Sequence, residues 1–127
     1  MKTFLTATGI CFALIGARAQ AAPAHNNDPV MTFAACTGRL SALMEHQWIV
    51  DPPASDETRM QRARMLSLLD AVLLPEQGRA ALKWRIEAKQ AQAQLLSRAR
   101  HPLNTRQAAY AARIARREVA ACNALLL

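Results

Sequence analysis

Aromatic side chains make up only 5% of this 127-residue chain, with glycine occurring four times and cysteine three. So few glycines leave no glycine-rich phosphate-binding loop, and a single tyrosine among the basic residues offers no stacking platform for nucleic acid. Valine and isoleucine are scattered singly, and no alternating β-branched or aromatic run is bounded by turn signals, which excludes strands. Beyond residue 21 no apolar run approaches the roughly 20 residues that a membrane-spanning helix needs. Nucleophile elbows and paired carboxylates in a recognisable pocket context are missing too, so no motif identifies a reaction.

What is present begins at the N-terminus. Lys2, the apolar run Phe4 to Gly16 and the small residues of Ala19-Gln20-Ala21 have the order of an export signal, with cleavage expected after Ala21. Ala17-Arg18-Ala19 offers a second site, so the boundary is set to within two or three residues. The apolar run is too short to cross a hydrocarbon core about 30 Å thick. Thr8-Gly9-Ile10 before Cys11 lacks the small residue immediately preceding a lipid-modified cysteine. The protein is therefore expected to be periplasmic or secreted, and not an integral membrane protein after cleavage.

Cleavage removes Cys11 and leaves Cys36 and Cys122. In an oxidising compartment two cysteines imply one bridge, here closing most of the exported chain into a loop worth roughly 4 to 5 kcal/mol in the chain-entropy treatment. A bridge between two copies, a redox pair and two free buried thiols are the alternatives. The redox pair is the weakest, because the cysteines are far apart in sequence on alanine-rich segments.

About 106 residues make one domain, 29–127, preceded by a disordered leader at 22–28. Alanine, leucine, arginine and glutamine dominate it, and all favour helix. Asp28 and Pro29 suit an N-cap and a first helical position. From there Val30, Phe33, Thr37, Leu40, Met44 and Trp48 follow helical spacing until Asp51-Pro52-Pro53 stops it. Gly38 inside this helix costs about 1 kcal/mol against alanine, which a close helix crossing would explain. A second helix is expected from Ser55 as N-cap with Asp56 and Glu57 in its first turn, carrying Met65, Leu66, Leu69, Val72 and Leu73 as its apolar side. After Pro75-Glu76-Gln77-Gly78, a third from about Arg79 to Arg100 shows Ala81, Trp84, Ala88, Ala91 and Leu95 as its seam, broadened by Leu82, Ile86, Ala93 and Leu96. The fourth begins at Pro102 or behind Asn104 and carries Ala108, Ala111, Ala115, Val119, Cys122 and Leu126.

Four amphipathic helices with short connections predict an all-α, up-down four-helix bundle, or a looser helical array, tied by Cys36–Cys122. The two tryptophans are expected to fill its ends. Size and layout are similar to those of small disulfide-bridged helical envelope proteins, acid-stress chaperones among them, without a shared motif.

Charge is divided unevenly. The formal charge of +7 falls to +5 once Lys2 and Arg18 are removed, with four arginines against seven acids from Ala22 to Gln77 and ten bases against two acids from Gly78 onward. Arg98, Arg100, Arg106, Arg113, Arg116 and Arg117 form a candidate basic contact surface for an anionic envelope polymer, lipid head group or acidic envelope protein. The plain alternative is a solvated helix face whose charge the acidic first half neutralises. Ser41, Glu45, His46 and Trp48 form the densest polar and aromatic cluster, a candidate contact surface before a catalytic one, because adjacent Glu45 and His46 point to different sides of a helix. His25, His46, His101 and Met31, Met44, Met60 and Met65 are metal-donor types, but their spacing provides no metal site. The expectation is a non-catalytic protein without cofactor or nucleic-acid partner that binds or supports another envelope component. The alternative is a periplasmic stress chaperone or inhibitor that exposes apolar helix surface on acidification.

Overall fold

The computed structural model describes residues 28–101 and 103–127. The expected export signal and nearly all of the expected leader lie outside these residues. Four helices follow in order: α1 Pro29–Val50, α2 Pro52–Val72, α3 Gly78–Arg100 and α4 Thr105–Asn123, with 3-10 turns at Pro75–Gln77 and Ala124–Leu126. Among the described residues there is no strand, and no helix is long and apolar enough to cross a membrane.

Local chemistry sets the boundaries. The Asp28 carboxylate accepts from the Val30 amide at 2.9 Å and Pro29 occupies the first helical position, where no amide hydrogen is needed. Asp51 both ends α1, donating its amide to the Gln47 carbonyl at 2.9 Å, and caps α2 through its carboxylate. The expected cap at Ser55 is corrected accordingly. Pro52 and Pro53 begin α2 instead of preceding it, because the first turn of a helix tolerates residues without an amide hydrogen. Ser55 is buried within the helix and donates its hydroxyl to the Pro52 carbonyl at 2.6 Å. Asn104 starts α4, accepting from the amides of Arg106 and Gln107 at 3.0 and 3.2 Å.

The helices run up, down, up and down, but α1 is central, with the other three packed around it. Its sequence explains the position. Ala34, Cys36, Thr37, Gly38, Leu40, Ser41, Ala42 and Met44 are buried on every side of it, as expected of a helix enclosed by neighbours. Thr37 and Ser41, buried with their hydroxyls, donate them to the carbonyls of Phe33 and Thr37 at 2.8 and 2.7 Å.

Gly38 marks the closest approach. A Cβ built there would collide with the Arg85 carbonyl oxygen and lie 3.0 Å from the Lys89 amide nitrogen, so the α3 backbone rests directly on α1. This contact also corrects the expected face of α3. Ala81, Arg85, Ala88 and Gln92 follow one line along the helix, which keeps Ala81 and Ala88 but is rotated by roughly 50° from the predicted seam. Gln92 is therefore buried, while Leu82 and Ile86 are 55% and 46% exposed.

Two apolar clusters hold the array together. One joins Leu40 and Cys36 to Met65 of α2 and to Val119 and Cys122 of α4; the other joins Val30 and Ala34 to Leu69 and Ala81. Full burial of side chains the size of Leu40 and Met65 contributes about 2 kcal/mol each. Cys36 and Cys122 form the expected disulfide, spanning 86 residues and fixing α4 to the central helix. Trp84 packs against the second cluster. Trp48 does not fill a bundle end; it is 57% exposed near the tip of α1, which ends two residues later at Val50.

Candidate functional site

The C-terminal half of α3 and most of α4 carry the arginines, and the structure divides the six candidates between two surfaces. Arg106, Arg113 and Arg117 recur at intervals of seven and four, on the side of α4 opposite its buried Ala108, Ala111, Ala115, Val119 and Cys122. Tyr110 lies on the same outward stripe, and the Arg113 guanidinium sits 5.2 Å from its ring centroid, a cation–π contact. Arg98 joins Arg106 beside the cleft formed by Leu95, Tyr110 and Ala111. Arg100 and Arg116 belong elsewhere, to a groove between α1, α3 and α4.

Their electrostatic surroundings differ as well. Glu118 accepts from Arg39 at 3.1 Å and from Arg117 at 3.3 Å, so a single carboxylate serves two guanidinium groups. Arg98, Arg100, Arg106, Arg113 and Arg116 take part in no ion pair among the described residues. None of the acidic residues of α1 and α2 forms an ion pair with these five: Glu45 pairs with Lys89 at 2.6 Å, and Asp56 with Arg59 at 3.0 Å.

The groove has a volume of about 420 Å³. Leu43, Leu96, Val119 and the small side chains of α4 form its walls, Arg100 and Arg116 its basic residues, and no carboxylate lines it. Gln92, 1% exposed, donates its side-chain amide to the Ala115 carbonyl at 3.1 Å. This bond fixes the orientation of the amide, since the reverse would set two oxygens against each other. The Gln92 Oε1 then has no partner, and neither has Oδ1 of Asn123 in the same lining. His46 also lines the groove; burial, and then the nearby Arg100 charge, hold its imidazole below the ordinary value.

The chain matches no known family model, no curated protein and no solved structure. What the site can do must be read from its own chemistry.

The cluster of Ser41, Glu45, His46 and Trp48 is not a single surface. Ser41 is buried and its hydroxyl accepts from Arg62 Nε at 2.7 Å, joining α1 to α2. Glu45 joins α1 to α3 through Lys89. His46 faces the groove, and Trp48 projects from the helix tip beside exposed Ile49 and Val50. Two of the four thus connect helices and two remain available for contact. Among the described residues no three histidine, cysteine or acidic side chains gather into a group able to hold a metal ion. Sequence reasoning missed Gln92 and the groove. The small residues Ala81, Ala88 and Ala99 on the same line of α3 were the signal that could have found them.

Proposed function

We propose that this is an exported, non-catalytic protein that binds an anionic component of the cell envelope through the arginine face of α4 and the adjoining end of α3. The observation carrying this reading is the outward stripe of Arg106, Arg113 and Arg117 around Tyr110, on which Arg106 and Arg113, with neighbouring Arg98, have no acidic partner among the described residues and Arg117 shares Glu118 with Arg39. Such a surface attracts polyanions over a distance set by salt, about 8 Å at physiological ionic strength. Export rests on the N-terminal sequence pattern, and a disulfide closing nearly the whole domain is in keeping with an oxidising compartment.

The test is retention of the oxidised protein on isolated envelope at roughly 0.05 M and about 0.5 M NaCl. Retention should fall at high salt and fall equally in the triple variant Arg106→Gln, Arg113→Gln, Arg117→Gln at low salt. Retention that is indifferent to both would refute the reading.

A stress chaperone is the second reading, favoured by apolar surface already open at the α1 tip, where Trp48 and Ile49 are 57% and 70% exposed. It requires increased dye binding and lost tertiary signal on acidification, with helicity retained. A stable monomer without that transition removes it.

A further inference from the structure

We infer that the groove between α1, α3 and α4 is a binding site for a medium-chain aliphatic carboxylate, its anionic head held by Arg100 and Arg116 and its chain lying over Leu43, Leu96 and Val119. This goes beyond attraction of the outward stripe to an envelope polyanion, because the groove is a separate surface with an apolar interior.

Three features support it. First, the charge is one-sided: both arginines lack ion-pair partners and no acid lines the groove, so an anion there meets only cations. Second, both arginines line the same groove. Side chains lean toward the N-terminus of their own helix, and α3 and α4 run antiparallel, so Arg100 near the end of α3 and Arg116 midway along α4 lean toward each other. His46 lies in the lining with them, and its imidazole, which carries no negative charge in either protonation state, does not compete for the guanidinium groups. Third, the size is suitable. At roughly 30 Å³ per water-sized group, the groove accommodates about fourteen such groups, which fits a chain of about ten carbons with its carboxylate. Ala112 to Asn123 extends about 16 Å along α4, long enough for that chain.

The experiment titrates the oxidised chain with decanoate, with decanol as the uncharged control. Calorimetry gives affinity, and side-chain methyl NMR shifts locate binding. Decanoate should shift Leu43, Leu96 and Val119 and bind at least tenfold more tightly than decanol. The variant Arg100→Gln, Arg116→Gln should lose tenfold or more in decanoate affinity. Arg106→Gln, Arg113→Gln, Arg117→Gln should leave that affinity unchanged, which keeps this outcome distinct from the envelope test. Absence of binding, shifts confined to the Trp48 tip, or equal binding of decanoate and decanol would overturn the assignment.

Discussion

Replacing Gly38 by alanine sets two calculable effects against each other. Alanine is the better helix former by about 1 kcal/mol, so in an uncrowded helix the change would stabilise. Here the added methyl group would collide with the Arg85 carbonyl oxygen and press on the Lys89 amide, both backbone atoms of α3 that no rotamer change can move. Overpacking of a tight contact costs about 1 to 3 kcal/mol, and a backbone neighbour puts this site at or beyond the upper end. The helices must separate along the most closely packed pair in the protein. A net loss of about 2 kcal/mol is expected, lowering the melting temperature by roughly ten degrees for a domain of this size. Urea unfolding followed by far-ultraviolet circular dichroism measures it. Gly78→Ala is the internal control: no atom lies within 4 Å of a Cβ at Gly78, which is already in the helical conformation, so that variant should gain stability. If Gly38→Ala is as stable as Gly78→Ala, α3 does not rest on α1 at Gly38 and the packing described above is wrong.

Other consequences can be read in the same unfolding assay. Replacing both Cys36 and Cys122 by serine should cost about 4 to 5 kcal/mol, since the bridge closes a loop of 86 residues; a loss under about 1 kcal/mol would mean that the packing of α4 does not depend on it. His46 has a folded-state pKa below its unfolded value, so the unfolded chain takes up the proton first. Its contribution to stability is present above about pH 6.5 and is lost as pH falls toward the folded value. An NMR titration of His46 with a midpoint at or above 6.5 would contradict this. Lys89→Met should cost no more than about 1 kcal/mol, because the Glu45 and Lys89 side chains are both about two-fifths exposed despite their 2.6 Å contact. Gln92→Leu should leave stability within about 1 kcal/mol of the native chain, because removal of a buried oxygen without a partner is offset by loss of the amide bond to the Ala115 carbonyl.

Much of the fold was legible because punctuation and small-residue spacing are local signals. Asp28 and Pro29 begin α1 as expected, Asn104 is the one of the two expected starts of α4 that caps it, and Ala108, Ala111, Ala115, Val119 and Cys122 are the buried line of α4. The bridge followed from cysteine count, and Gly38 from its cost inside a helix. Misreadings arose where two rules compete. Pro52 and Pro53 both end one helix and begin the next, so a rule for stopping concealed the start at Asp51. On α3, apolar residues suggested one face, but the approach at Gly38 selected another, pushing Leu82 and Ile86 outward and Gln92 inward. Periodicity records which residues are apolar, whereas a helix crossing at backbone distance is decided by which residues are small. The arginines were visible as a group; their division between an outward stripe and a groove depends on how α4 is rotated against α1 and α3.

The central claim is that the arginine face meets an anionic envelope component, and in-cell cross-linking tests it most directly. A photo-cross-linker replacing exposed Ala109 on α4 would be compared in the native chain and in the Arg106→Gln, Arg113→Gln, Arg117→Gln variant. The account predicts one dominant adduct with an envelope component, lost in the variant while the disulfide and helicity are unchanged. An adduct that survives loss of the three arginines, or no envelope adduct in the native chain, would contradict it.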